Sequence, residues 1–408
     1  MSKNVYILDD SLSSRENGIG TFLKEFVSIM RELDFRIHLL SFNAKTEGFT
    51  IREEYGVKRY LFPIMNNDRE YQKYVGIINK FMLLYIPDST DNLFFLNHTP
   101  CEKLLESIKS SHPLSKRVFI IHDLIWTELL NGSLERLKHV LSKKEKDETE
   151  KNIYSYFREE QRMYTLVDRV VCLSESTFKI LTDIYKVPSC KISIIPNGIR
   201  TNKLKVRDTD KLRNLLFLPE REKIMLYVGR ATEQKGLFAL IRSFEKVLKR
   251  EPNLRLIVVG TFKEEALEYI SKNHSSIASR ITFIGFIPRK ELFKWYAVTD
   301  IAVIPSLYEQ CSYVGMEMMM HGLPIIASDG IGLRDMFRQG ENALVAKIGN
   351  PKNDYREYIA NLTNCINRLL DSGELKERIR SGVTDTYKKQ YHSRHMRERY
   401  KRLIEELG

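Results

Sequence analysis

The stretch Ile224-Met-Leu-Tyr-Val228-Gly-Arg-Ala-Thr-Glu-Gln-Lys-Gly236 carries two elements and the turn between them. Its first five residues are all apolar, which suits a strand covered on both faces. The polar, glycine-bounded part that follows is a loop, and an amphipathic helix is expected after Gly236. Strand, loop and helix in that order form the repeating half of a parallel α/β fold. Arg230 and Lys235 stand in the loop at the C-terminal end of the strand. Ligands of doubly wound sheets sit at that end, and two cations there can face one anionic group. A charged surface loop has the same composition, so the pattern needs support from the rest of the chain. The Gly-Lys-Ser/Thr ending of a P-loop is missing, which makes an ATPase a poor fit.

The same alternation runs outward in both directions. Strands are expected at 5–8, 37–42, 93–97, 118–121 and 169–173, then at 224–228, 254–259, 281–284, 301–304 and 323–327. In the first helix Phe22, Phe26, Ile29, Met30 and Leu33 share one face. Ile195-Pro-Asn-Gly-Ile199 marks a turn, and the basic, polar run 200–213 marks a linker. Two domains are therefore expected, 1–198 and 199–389, with a charged terminal helix over 390–408 returning to the first. That helix has Tyr391, Met396, Tyr400, Leu403 and Leu407 as its apolar stripe.

With 408 residues, the chain is too long for one ordinary domain. Its apolar share of 43% supplies a sizeable core, so disorder is excluded as the main state. No apolar run reaches the ~20 residues needed to span a bilayer. The segment 77–86 is too short and is interrupted by Lys80, and the first ten residues read as a strand, not as a signal peptide. Five scattered cysteines, Cys101, Cys172, Cys190, Cys311 and Cys365, argue for reduced thiols in the cytosol and against a disulfide or zinc framework. The net charge of +12 lies almost wholly in the second half, where 198–408 carries 37 basic against 26 acidic residues. Such a surface attracts a nucleotide diphosphate, a lipid phosphate or an anionic membrane, or is simply solvated. No basic-aromatic module points to nucleic acid.

Three further features join the opening stretch. Asn17-Gly-Ile-Gly-Thr21 lies between the first strand and first helix, so Gly18, Ile19 and Gly20 can bring backbone amides to a phosphate or sugar. It lacks the third glycine of a dinucleotide fingerprint. His122, in Phe119-Ile-Ile-His-Asp123, stands at a strand's C-terminal end, where a neutral imidazole can hydrogen-bond a sugar hydroxyl. Finally, Pro305-Ser-Leu-Tyr-Glu309-Gln-Cys-Ser-Tyr-Val-Gly-Met-Glu317 ends a strand and opens a helix, expected just after Glu309. Glu317 falls among Val314, Met316, Met318 and Met319, where a carboxylate needs a partner; ribose hydroxyls are suitable donors.

Taken together these residues resemble the retaining GT-B glycosyltransferases of family 4, over almost the whole chain. The pattern runs Gly229-Arg230…Lys235-Gly236, Gly285-Phe-Ile-Pro288, Asp300…Pro305-Ser306, Glu309…Glu317 and Gly322-Leu-Pro324. The resemblance implies two Rossmann-like domains facing across a cleft, the first for the acceptor and the second for the donor. By it, Arg230 and Lys235 hold the donor diphosphate, Glu309 contacts the transferred sugar, and Glu317 binds the ribose. Backbone near Ile287 meets the base, and the amides of Cys311, Ser312, Tyr313 and Val314 meet sugar and phosphate. Gly18, Ile19, Gly20 and His122 close from the first domain. It further implies a UDP-sugar donor in preference to a GDP-sugar.

One departure is visible, since Gln310-Cys-Ser-Tyr313 stands where the family has a Gly-Phe-Gly-like run. Amide contacts need no particular side chain, so the role survives while the sugar preference becomes uncertain. No metal and no cofactor are expected. The Asp208-Thr-Asp210 pair lies in the linker, and two carboxylates alone are a poor Mg²⁺ cage. The same fold also supports an epimerase, a phosphorylase or an inactive sugar-nucleotide-binding scaffold. Glycan, lipid-linked, protein and small-molecule acceptors all stay open. The charged segment 134–164, with Leu134, Leu137, Val140 and Leu141 as a partial stripe, reads as a solvated hairpin or as an amphipathic face for acceptor or membrane.

Overall fold

A computed structural model describes residues 3–10, 18–64, 71–97, 102–204, 208–349 and 355–408. Asn17 and Cys101 lie outside them. The chain divides into two compact units, Met1–Asn197 with Ser393–Gly408, and Gly198–His392.

Unit 1 is built on β1 (Asn4–Asp10), β2 (Arg36–Ala44), β3 (Thr50–Glu54), β4 (Val57–Pro63), β5 (Asn92–Asn97), β6 (Lys116–Ile120), β7 (Arg169–Cys172) and β8 (Ile192–Ile194). Their order in the sheet is β3-β4-β2-β1-β5-β6-β7-β8. Every neighbouring pair is parallel except β3 with β4. Between the strands run α1 (Gly18–Glu32), α2 (Tyr71–Tyr85), α3 (Glu102–Ser111), α4 (Ile125–Leu129), α5 (Leu134–Ser142), α6 (Glu148–Leu166) and α7 (Glu175–Asp183). The helix α1 buries Phe22, Phe26, Ile29 and Met30 as its spacing predicts, and ends before the half-buried Leu33.

Unit 2 has β9 (Lys223–Val228), β10 (Leu254–Val259), β11 (Ile281–Gly285), β12 (Ile301–Ile304), β13 (Ile325–Ser328) and β14 (Leu344–Ala346). They are ordered β11-β10-β9-β12-β13-β14, all parallel. Numbered within the unit that order is 3-2-1-4-5-6, the Rossmann arrangement, with its switch point between β9 and β12. Unit 1 repeats the plan with its switch point between β1 and β5. The helices are α8 (Thr209–Leu215), α9 (Leu237–Leu248), α10 (Glu264–Asn273), α11 (Arg289–Val298), α12 (Tyr313–His321), α13 (Leu333–Met336), α14 (Arg356–Asp371) and α15 (Gly373–Thr386).

The last helix, α16 (Ser393–Glu406), belongs to unit 1 and sets Tyr400 edge-on to Phe26 of α1, with ring centroids 4.8 Å apart. It buries Met396, Tyr400, Leu403 and Ile404, whereas Tyr391 precedes it and is buried in unit 2.

Four strands carry no sequence expectation. Of these, β3 reads Thr-Ile-Arg-Glu-Glu and lies exposed at the sheet edge, while β8 and β14 have three residues each. The strand expected at 323–327 is Ile325–Ser328, because Gly322 closes α12 in the left-handed region at φ 71° and Leu323 only returns the chain to the sheet. The linker 200–213 contains the start of α8, where Asp208 is the N-cap and accepts a hydrogen bond from the Lys211 amide. In the segment 134–164, Leu137 and Val140 are buried against unit 1, so the stripe of α5 serves its own core and offers no apolar face outward.

Candidate donor and sugar sites at two switch points

In unit 2 the loops after β9, β12 and β13 lock onto one another through the backbone. Tyr227, buried at the end of β9, donates its hydroxyl to the Arg230 carbonyl at 2.6 Å. Gly236 is the N-cap of α9 at φ 72°, and a Cβ there would stand 1.9 Å from the Pro305 carbonyl oxygen. The Leu307 amide donates to the Gln234 carbonyl at 2.8 Å. On the other side, the Glu309 amide donates to the Ile331 carbonyl at 2.9 Å. A Cβ on Gly332, at φ 78°, would fall 1.9 Å from the Glu309 carbonyl oxygen. Only glycine fits such positions, so backbone contact fixes where Glu309 stands.

Two ion pairs stand in this unit. Lys235 Nζ lies 2.6 Å from Glu309 Oε1, and the Ser306 hydroxyl donates to the same oxygen at 3.1 Å. Both side chains keep about a fifth of their surface exposed, 21% for Lys235 and 19% for Glu309, so the pair can meet a ligand. Arg230 is exposed and has no ion-pair partner among the described residues. The second pair is deeper. Glu317 on α12 is 6% exposed, with Arg289 Nε 2.6 Å from Oε1 and the Tyr296 hydroxyl donating to Oε2 at 2.9 Å. Burial raises its pKa above the ordinary carboxylate value, and Arg289 and Tyr296 pull it back. The partner that Glu317 requires is thus supplied by the protein itself. Ribose would add to that shell, not create it.

The helix does not start directly after Glu309. It starts at Tyr313, with Ser312 as N-cap accepting from the Gly315 amide at 3.2 Å. The Ser312 amide is itself committed to Met336 Sδ at 3.2 Å. Cys311 and Tyr313 are buried here and Val314 is half-buried, while Ile287 is half-buried in the turn before α11.

In unit 1 the corresponding ends of β1, β5 and β6 meet through side chains. Asp9 Oδ1 accepts from Asn97 Nδ2 at 3.0 Å, and Asn97 Oδ1 lies 2.5 Å from His122 Nε2. Asp9 and Asn97 are buried. Since Asp9 accepts, Asn97 must present its oxygen to His122, which puts the proton of a neutral ring on Nε2. Phe22 holds the imidazole edge-on at 4.5 Å. Gly18 and Ile19 open α1, Gly18 exposed and Ile19 half-buried, and Gly20 is buried in the same turn.

Sequence reasoning missed Arg289, Tyr296 and the loop carrying Gly330 and Gly332. It also missed Asp9 and Asn97. The Gly-Ile-Gly run after a strand was a readable signal, and so was an arginine directly after Pro288. Asn97 gave none, because only the sheet order brings it to His122.

Two parallel-sheet units with charged and polar side chains at both switch points define an α/β protein of Rossmann type. Residues 208–383 match the family model described as Glycosyl transferases group 1, and residues 115–203 match that for Glycosyltransferase Family 4. The chain belongs to the family 4 type of GT-B glycosyltransferases.

Among solved structures it is similar to sucrose-phosphate synthase of Thermosynechococcus elongatus, at TM-score 0.77 and 16% identity with 99% of each chain covered. Anabaena HepE in complex with UDP gives TM-score 0.71 and 17% identity, covering 99% of this chain and 100% of that one. Among curated proteins, an uncharacterized glycosyltransferase of Methanocaldococcus jannaschii is 28% identical over 47% of this chain and 53% of its own. D-inositol 3-phosphate glycosyltransferase 2 of Catenulispora acidiphila is 26% identical over 53% of this chain and 52% of its own. The chain thus spans about half the length of the curated relatives it matches.

Proposed function

We propose that the protein is a retaining glycosyltransferase that moves a sugar from a nucleoside-diphosphate sugar, UDP-linked in preference to GDP-linked, to an acceptor hydroxyl in glycan, glycolipid or glycoprotein synthesis. The observation that carries this reading is the Lys235–Glu309 pair, part-exposed beside the unit 2 switch point and set by backbone contacts on both sides. Arg230 and Lys235 would offset charge on the departing diphosphate, Glu309 would orient the sugar, and Glu317 would accept from the ribose hydroxyls. Support for UDP comes from similar folds solved with it, among them HepE with UDP-glucose. Support for a saccharide or polyol-phosphate acceptor comes from relatives named as inositol-phosphate and lipopolysaccharide transferases.

The retaining course is part of the same proposal, supported by the two cations, Arg230 and Lys235, that the unit 2 loop presents beside Glu309. Among the described residues no Ser-His-Asp set stands beside the cations. The acceptor hydroxyl would attack from the face the diphosphate leaves, and a diphosphate oxygen would take its proton, with the protein contributing orientation and charge. No metal enters this scheme, and Asp208 is used as a helix cap.

Peripheral membrane contact is part of the same proposal. Its support is α2, where Ile77, Leu83, Leu84 and Tyr85 are exposed around Lys80. No helix among the described residues is long and apolar enough to cross a membrane.

The test is a screen of UDP- and GDP-sugars for binding and nucleotide release, with NMR of the product anomer. Tight binding without turnover would indicate a scaffold, and epimerised donor without acceptor an epimerase. An inverted anomer would overturn the retaining course. Turnover is expected to persist in excess chelator; full loss restored by Mg²⁺ or Mn²⁺ would show a metal site.

A further inference from the structure

Unit 2 also holds a cavity of about 220 Å³ that none of Arg230, Lys235, Glu309 and Glu317 lines. It lies along the first turns of α9. That helix gives it Phe238 and Arg242, α10 gives Tyr269, the N-cap of α14 gives Tyr355, and the loop before α9 gives Glu233. The three rings and Arg242 are half-buried, and Glu233 is exposed. Sites for drug-sized molecules run to ~300–1,000 Å³, so this one suits a single small ring. Gly236 and Leu307 border it too, which makes it a neighbour of the loop lock without sharing its charged pair.

One wall of the cavity is held by a chain of polar groups. Glu245 Oε2 lies 2.9 Å from His274 Nδ1, and His274 Nε2 lies 3.3 Å from the Tyr269 hydroxyl. With the Glu245 carboxylate accepting from Nδ1–H, Nε2 of a neutral ring accepts from the hydroxyl. His274 is buried, and its ring stands 5.2 Å from that of Tyr269. The chain joins α9 to the end of α10 and fixes the Tyr269 ring before any ligand arrives. That ring meets Phe238 with centroids 4.6 Å apart and planes at 60°.

We infer that this cavity binds one uncharged hexose residue, as a saccharide site separate from the proposed donor site. A planar base stacks best between near-parallel rings, whereas Phe238 and Tyr269 make a corner. A pyranose carries C–H bonds on its puckered faces and hydroxyls around its rim. The faces meet the aromatic corner, and the rim meets Arg242, which donates, and Glu233, which accepts. One cation and one anion at the same cavity favour neither an anionic nor a cationic ligand. Covering both with a hydrocarbon chain would strip their water without replacing it. A neutral polyhydroxylated ring uses the wall and the rim together. The pre-set Tyr269 ring lowers the ordering cost of binding it.

The experiment is a ligand-observed NMR titration of the full chain with glucose, galactose, mannose and N-acetylglucosamine in turn, UDP being present to fill the donor site. At least one should bind wild type in the millimolar range, as expected for so few ligand atoms. Arg242→Leu should weaken that binding about fivefold, the scale for one hydrogen bond, and Tyr269→Ala should weaken it at least as much. UDP affinity should be unchanged in both variants. If Tyr269→Ala fails to fold, Tyr269→Phe replaces it; it keeps the ring, loses the bond to His274, and should bind the sugar a few-fold more weakly. No binding of any of the four sugars to wild type would overturn the inference. So would binding of equal strength in wild type and the variants, which would place the sugar elsewhere on the chain. Either failure leaves UDP binding and transfer untouched, and so stands apart from a failure of the proposed function.

Discussion

The two units share one strand order but build their switch points by different means. In unit 1, Asp9, Asn97 and His122 touch through side chains, and the string ends in a single tautomer. In unit 2, glycines and carbonyls in contact fix three loops, and the side chains they carry include the Lys235–Glu309 ion pair. A side-chain string determines orientation and tolerates no change of hydrogen-bonding type. A backbone lock determines position and leaves the charged ends available to a ligand. On the proposed function, unit 2 would stabilise developing charge and unit 1 would aim a hydroxyl.

The largest test of this contrast is Lys235→Ala. The backbone lock does not depend on the lysine side chain, so the variant should fold with a Tm within a few degrees of wild type. Transfer should fall by about a hundredfold or more, the scale for losing one preorganised charge partner. Near-full transfer would show that the pair does not act on the diphosphate.

His122→Ala comes next. One oriented hydrogen bond is worth about 1 kcal/mol, so kcat should fall roughly fivefold while UDP affinity stays constant. Asn97→Asp should produce a similar loss, because the new carboxylate would face Asp9 and no longer present a neutral oxygen to Nε2. Equal loss of UDP affinity in His122→Ala would erase the division of labour between the units.

How much of this was legible in sequence follows the same division. The charged residues of unit 2, Arg230, Lys235, Glu309 and Glu317, were readable because they follow apolar strands, but the pairing of Lys235 with Glu309 was not. Strands buried on both faces announce themselves; β3, polar and exposed, does not, and three-residue strands fall below any periodicity. The unit 1 string was half legible. His122 ends a strand, but Asn97 and Asp9 become its neighbours only once β1, β5 and β6 lie side by side. The need of Glu317 for a partner was also readable from its apolar neighbours. Its partners were not, since Arg289 and Tyr296 sit on another helix, seven residues apart.

The smallest expected effect concerns that partner. In Arg289→Leu, Glu317 keeps Tyr296 but loses the cation that opposes its burial, so its already raised pKa rises further. A raised carboxylate pKa means the anion is lost at higher pH on the way down. If the anion is what receives ribose hydroxyls, UDP affinity in the variant should be only a few-fold weaker at pH 8.5, and should begin to decline at a higher pH than in wild type. Calorimetric titrations of UDP from pH 8.5 to 5.5 would show the two curves separating as pH falls. Curves that run parallel would mean that Arg289 does not set the charge of Glu317. The carboxylate would then owe its ionisation to Tyr296 alone, and unit 2 would be closer to unit 1 in design, with a hydrogen bond and not an ion pair holding its deeper site.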